Sequence, residues 1–252
     1  SHYLGQNFAK SFNVQFQNAA GKLEYVYATS WGVSTRLIGA LIMAHSDDDG
    51  LVLPPKLAPL HVVIIPIFKG DAERAAVLEK AAALRNAFQG SGVTVRLDDR
   101  DNVSPGWKFN EWELKGVPLR VEIGPRDLAA GRAVLVRRDT REKRPVALDA
   151  LKDDITRTLP EMQQALLARA LQFRAENTRP VEDYASFKAQ MERDIPGFVN
   201  APWCGEAGCE AALQEETKAT IRCIPLERSA EPGACVRCGK PSEGRVVMAK
   251  SY

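Results

Sequence analysis

Hydrophobic and polar positions alternate cleanly near the start of the chain. Phe12, Val14 and Phe16 fall on one side and Asn13, Gln15 and Gln17 on the other, the period-two pattern of a half-buried strand. A polar turn containing Gly21 follows, and Leu23, Tyr25 and Tyr27 then alternate again, which predicts an antiparallel hairpin. After Trp31-Gly32-Val33 the period changes. Leu37, Ile38, Leu41 and Ile42 recur at helical spacing, with Ser34 as the expected N-cap and an end near His45. The acidic tract Asp47-Asp48-Asp49 comes next. Leu53 to Pro59 then holds three prolines in seven residues and reads as a semi-rigid linker at a domain boundary.

Beyond the prolines the rhythm is that of an α/β layer. A continuous apolar run from Leu60 to Phe68 leads to an alanine-rich helix over about Asp71 to Gln89, and Val93 to Leu97 forms a second strand. Strand, helix, strand with both strands apolar predicts a parallel βαβ unit. A short helix around Gly106–Leu114 and strands over Leu119–Ile123 and Ala133–Arg137 extend it. Neither GxGxxG after the first strand nor GxxxxGK[ST] anywhere is present, which argues against nucleotide binding by this unit. A helix from Leu148 meets Pro160, which is expected to end or kink it. Helices over Glu161–Ala175 and Tyr184–Arg193 lead into a last unit that holds all five cysteines.

Length and charge narrow the field only slightly. A chain of 252 residues suggests two or three units, and 45% hydrophobic with 26% charged residues excludes wholesale disorder. Lys+Arg 34 against Asp+Glu 32 does not announce a nucleic-acid binder, so any such role needs a local patch. Val117 to Arg144 offers one, with eight basic residues against four acidic. No run of 18 apolar residues exists, and the N-terminus has no initiator Met, basic n-region or apolar h-region. The expectation is a soluble cytoplasmic chain without membrane association, cut from a longer protein.

The cysteines carry the sharpest chemistry. Cys204 and Cys209 are separated by four residues and Cys235 and Cys238 by two, each pair beside glycine. Two close pairs on tight turns supply the four thiolates that tetrahedral Zn²⁺ prefers. Two disulfides or buried free thiols are the alternative. Disulfides suit small secreted domains, so zinc is favoured, as a closed structural site with no open position for catalysis. Cys223, in the alternating run Thr220–Ile224, reads as a core thiol.

Several strings taken together resemble one family. They are Ser1-His2-Tyr3-Leu4-Gly5-Gln6-Asn7-Phe8, Thr29-Ser30-Trp31-Gly32-Val33-Ser34-Thr35-Arg36-Leu37-Ile38-Gly39-Ala40, Gly50-Leu51-Val52-Leu53-Pro54-Pro55, Pro105-Gly106-Trp107-Lys108-Phe109-Asn110-Glu111-Trp112-Glu113-Leu114-Lys115-Gly116-Val117-Pro118 and Gly124-Pro125-Arg126-Asp127. With the cysteine unit and the final Tyr252, they resemble the C-terminal half of prolyl-tRNA synthetases of the archaeal and eukaryotic type, which some bacteria also carry. The resemblance implies a multidomain α/β and α+β chain. Residues 1–58 would end a class II catalytic core built on an antiparallel sheet. Residues 59–160 would form a mixed-sheet α/β anticodon-binding domain, and 161–252 a helical linker with a small α/β zinc-binding domain.

The same resemblance assigns roles. Gly32-Val33-Ser34-Thr35-Arg36 looks like class II motif 3, so Ser34 and Arg36 would contact ATP, with Arg36 as the catalytic residue. An arginine fork matches phosphate geometry, and a cation at a helix start is otherwise disfavoured by the dipole. His2 would line the proline pocket and Trp31 give it an apolar wall; Trp31 as a core aromatic is the alternative. The implied reaction is proline activation at the ATP α-phosphate with Mg²⁺, then transfer to the 3′ end of proline tRNA. The full-length enzyme is expected to be a homodimer. Motifs 1 and 2 are absent from this sequence, so the fragment is not expected to catalyse activation alone. In the anticodon unit Lys108, Glu111, Lys115, Arg120 and Glu122 are the candidate tRNA contacts, glutamate being able to accept from guanine, with Trp107, Phe109 and Trp112 nearby for stacking. Phe109 and Trp112 as core residues is the competing reading. By similarity the Tyr252 carboxylate would fold back towards the catalytic domain. The alternative for the whole chain is a non-catalytic tRNA anticodon-binding module.

Overall fold

The computed structural model describes residues 1–227 and 233–250. Tyr252 lies outside them. The chain is mixed α/β with several separate sheets, and it divides into two compact units, 1–163 and 164–252.

The first unit opens with β1 (His2–Gly5), α1 (Asn7–Ser11), β2 (Gln15–Gln17), β3 (Leu23–Tyr25) and β4 (Ala28–Ser30). β2 and β3 pair antiparallel, the hairpin that the alternation predicts, and β1 pairs antiparallel with β4. α2 (Arg36–His45) follows, but Ser34 does not cap it. The N-cap is Thr35, without a side-chain hydrogen bond, and the Leu37 N–H closes the first turn on the Ser34 carbonyl at 3.1 Å. None of the ten residues of α2 is buried.

The proline segment is not a spanning linker. Val52, Pro54, Pro55 and Ala58 are buried, and the Lys56 N–H donates to Gln163 Oε1 at 3.0 Å. The segment turns on itself at residues 55–57, where the Leu57 and Ala58 N–H groups donate to the Pro54 carbonyl at 2.8 and 3.1 Å. Next come β5 (Val62–Pro66), α3 (Asp71–Ala87), β6 (Val95–Leu97), α4 (Pro105–Leu114), β7 (Leu119–Ile123), α5 (Pro125–Ala129), β8 (Arg132–Arg137) and β9 (Lys143–Ala147). The strands form one sheet in the order β6-β5-β7-β8-β9, parallel across β6, β5 and β7 and antiparallel beyond. β5 is buried on both faces, as a continuous apolar run requires. Val62 and Ile64 pack against Val77, Ala81 and Leu84 of α3, while Val63 and Ile65 pack against Trp112 of α4.

α6 (Leu151–Glu176) runs unbroken through Pro160. A proline inside a helix removes one backbone donor and costs about 3 kcal/mol. Here Ile155, Leu159 and Met162 are buried on both sides of it, and tertiary burial holds the helix where local propensity would stop it.

The second unit contains β10 (Thr178–Pro180), α7 (Tyr184–Met191), β11 (Phe198–Trp203), α8 (Ala207–Thr217), β12 (Ala219–Cys223) and β13 (Gly244–Lys250). Its sheet has the order β10-β11-β13-β12. Phe187, Met191, Val199, Ala201, Leu213, Val246 and Met248 form its core, which includes three of the cysteines.

Candidate functional site

Four sulfurs converge in the second unit. Cys204 leaves β11, Cys209 sits in the first turn of α8, and Cys235 and Cys238 lie on the loop before β13. Gly205 and Gly239 hold φ of +81° and +71°, left-handed values that let the two turns close. Cys209 Sγ is 3.7 Å from Cys235 Sγ, Cys238 Sγ is 3.7 Å from Cys204 Sγ, and all four ligand atoms lie within 4.8 Å of one another. A disulfide needs about 2.05 Å. Four sulfurs at about 2.3 Å from one zinc ion are separated by about 3.8 Å along each tetrahedral edge. The cluster therefore has metal-site spacing and not disulfide spacing.

Burial pushes the Cys209 and Cys204 thiols above their ordinary range. Cys235 is buried too, but backbone N–H groups of Cys238 and Arg237 outweigh that and draw it down to about 7. Cys223 is exposed at the end of β12 and is neither a ligand nor the core thiol its alternating run suggests, because the register shifts between Ile221 and Cys223.

In the first unit α4 and β7 build a dense charged face. Asp98, 3% exposed, was given no role by the sequence. It accepts from Arg100 Nε at 2.8 Å, Arg100 Nη2 at 2.7 Å and Trp112 Nε1 at 2.8 Å. Burial raises its pKa, but these donors outweigh it and hold the carboxyl at about 2. Lys108 is 2% exposed and gives its ammonium to the Asp98 carbonyl at 3.0 Å. Glu111 is held by Arg100 at 2.5 Å and Lys115 at 2.6 Å, and those two cations lower its pKa. Arg120, 6% exposed, lies over the Phe109 ring at 4.3 Å and binds Glu113 at 2.6 Å and Glu122 at 2.9 Å. Of the five candidate tRNA contacts, Lys115 stands most open, and Lys108 and Arg120 face inward. Trp112 is buried, Phe109 half-buried, and Trp107 exposed with Arg100 5.2 Å over its ring.

A second group of charges ties this face to the segment after α2. Arg138 donates to both carboxylate oxygens of Asp47 at 2.8 and 2.6 Å and to the Glu113 carbonyl at 3.1 Å, and Arg141 binds Asp47 and Asp49. Hydrogen bonds from Arg138 chiefly hold Asp47 well below the usual carboxylate range. Gly50, at φ +137°, passes so close that a Cβ would lie 2.5 Å from Leu114 Cα. The acidic tract is thus a clamp on the C-terminal turn of α4.

The remaining predicted residues lie near the start of the chain. The β1–β4 pairing sets His2 opposite Ser30, the residue before Trp31 in sequence, with His2 Nδ1 3.2 Å from Ser30 Oγ. Trp31 is 80% exposed. Ser34 and Arg36 are exposed at the start of α2, whose first turn has no acidic residue, and Arg36 makes no ion pair among the described residues.

Comparison with known proteins accounts for both units. The model of the anticodon binding domain family matches residues 61–158, which span β5 through the first turns of α6. The family described as prolyl-tRNA synthetase, C-terminal, matches residues 184–252. The whole chain also aligns with a proline–tRNA ligase of Chloroherpeton thalassium at 54% identity over 260 residues, covering 100% of this chain and 53% of that protein. This chain belongs to the prolyl-tRNA synthetase family. Proline–tRNA ligases of Cytophaga hutchinsonii, at 52% over 253 residues, and Porphyromonas gingivalis, at 49% over 252 residues, each match 100% of this chain and 51% of their own length. The chain spans about half the length of the curated prolyl-tRNA synthetase relatives that it matches, and it corresponds to the C-terminal region of the family.

Proposed function

We propose that this chain forms the C-terminal half of a proline–tRNA ligase, which activates L-proline with ATP and transfers the prolyl group to the 3′ end of proline tRNA. The observation that carries the reading is the alignment of the entire chain, at 49–54% identity, with relatives bearing that name. Residues 1–58 are read as the end of the catalytic domain, 59–160 as the anticodon-binding domain, and 161–252 as a helical linker with a structural zinc domain. The full-length protein is read as a cytoplasmic homodimer.

In this reading Arg36, helped by Ser34, neutralises ATP phosphates, with Mg²⁺ sharing that charge when bound. Its exposed fork, free of ion pairs among the described residues, supports an anionic partner. His2 and Trp31 bound the proline pocket. Such a site works by positioning and charge neutralisation, with no general base. Glu111, Lys115 and Glu122 are the proposed anticodon contacts, with Lys108 and Arg120 holding that face in shape. The cysteine cluster holds Zn²⁺ as a stability element. Catalysis is assigned to the longer polypeptide and tRNA binding to this chain.

The test is binding of this chain to proline tRNA, and to the same tRNA with its two anticodon guanines replaced, at two salt concentrations. Replacement is expected to weaken binding at both. Equal binding would leave phosphate contacts alone and overturn the assignment of anticodon reading to this chain.

A further inference from the structure

A cation without a part in ligation stands on the loop that carries the second cysteine pair. Four thiolates around one Zn²⁺ leave a net charge of about −2. Cys204, Cys209 and Cys235 are buried, and a buried charge is costly unless it is matched. Arg237 lies in sequence between the ligands Cys235 and Cys238, and the Glu216 carboxylate chiefly, with the Cys209 sulfur after it, favours its charged form. Its Nη2 donates to Glu216 Oε1 at 2.6 Å, while the other oxygen of Glu216 accepts from Tyr184 Oη at 2.5 Å. The carboxylate is therefore gripped from both sides, by the loop of the second cysteine pair and by α7. Arg237 Nε is buried with no hydrogen-bond partner among the described residues. A buried donor without an acceptor is rare and calls for an explanation, and a metal-bound thiolate is the acceptor at hand.

We propose that Arg237 is a positioning residue of the metal site: aimed by Glu216 and Tyr184, its guanidinium offsets the thiolate charge and orients Cys209 towards the ion. The inference rests on the zinc reading given above. It turns an ion pair that would otherwise be a half-exposed surface contact, worth little in itself, into the outer support of a metal centre. Lys240 is the contrast. It is also a cation near Cys204 and Cys238, but it is tied to Glu206 at 2.8 and 2.9 Å on a side chain that is 57% exposed, where solvent screens it.

The experiment uses the zinc-loaded chain and follows transfer of zinc to a chromophoric chelator, together with the thiolate charge-transfer spectrum of the Co²⁺ form. Arg237→Gln is expected to lower zinc affinity about 10–100-fold, the usual effect of removing an outer-shell partner, and to shift the cobalt spectrum. Arg237→Lys should recover part of the loss. Glu216→Gln, which leaves the metal loop untouched, should move both readouts the same way by less, and it decides the matter if Arg237→Gln fails to fold. Zinc transfer and cobalt spectrum unchanged in Arg237→Gln, or an equal loss in Lys240→Gln, would overturn the inference while the zinc reading stands. A wild-type chain that binds neither zinc nor cobalt would overturn both.

Discussion

α2 and α4 are both ten residues long, and their burial runs opposite to their composition. α2, Arg-Leu-Ile-Gly-Ala-Leu-Ile-Met-Ala-His, carries the more apolar sequence and buries nothing; Leu37 and Ile38 are 60% and 59% exposed. α4 carries lysine and two glutamates, yet it buries Lys108 and Trp112. The difference lies in what faces each helix. α4 lies on Val63, Ile65 and Val117, and the carboxylate and carbonyl of Asp98 meet its indole N–H and its ammonium. The apolar stripe of α2 has no such layer among the described residues, and the remaining half of the longer polypeptide is proposed to supply it. Burial follows the available partner, and hydrophobicity only makes a partner worthwhile.

The comparison breaks most sharply at Asp98. Asp98→Ala would take the acceptor from the buried Trp112 indole and leave buried Lys108 with the backbone carbonyl and Arg100 with Glu111, and removing one member of a buried ion pair costs about 3–5 kcal/mol. Urea unfolding of this chain should show that loss; a cost below about 1 kcal/mol would mean that α4 is held by its apolar contacts alone. Acid should reproduce part of the effect. The folded pKa of Asp98, about 2, lies below its ordinary value of 3.8, so its contribution is full above the ordinary value and fades as pH falls through the folded one. Between those two values Asp98→Asn should flatten the fall in urea midpoint that the wild type shows.

A smaller effect is expected where the two regions meet. Asp47→Ala leaves the Arg138 guanidinium, 3% exposed, with only the Glu113 carbonyl. A buried donor deprived of its acceptor costs about 1–3 kcal/mol. Because the clamp holds the C-terminal turn of α4, hydrogen exchange should rise at Lys115–Val117 before it rises in β5. Uniform exchange in both would show that the clamp does not govern that turn.

The same logic separates what was legible in the sequence from what was not. β5, α3 and β6 could be read because a continuous apolar run, a helical period and glycine punctuation agree locally. The cysteine pairs were legible because ligand spacing is local within each pair. β9 was missed: its charged residues and Pro145 look like a solvated run, whereas an edge strand tolerates both, and only pairing with β8 defines it. Of the end or kink expected at Pro160, the end does not occur, for the matching reason: the burial that overrides it comes from residues remote in sequence. Asp98 was hidden inside Asp98-Asp99-Arg100-Asp101, a tract that reads as surface. The available signal was a lysine and an indole on an otherwise sheet-facing helix, both of which need a buried acceptor.

The smallest expected effect is the most discriminating. Ile38→Ser in a packed helix would cost about 2–5 kcal/mol, the range for large-to-small core changes. With Ile38 59% exposed, the substitution in this chain should stay within about 0.5 kcal/mol. In the longer polypeptide, where α2 is proposed to be covered, the same change should cost several times more. Urea midpoints of the two lengths, wild type and variant, form a double comparison in which the coupling is the burial that the rest of the longer polypeptide is proposed to supply. A large cost in this chain alone would mean that α2 is already covered in solution, and a midpoint that rises with protein concentration would identify the cover as a second copy.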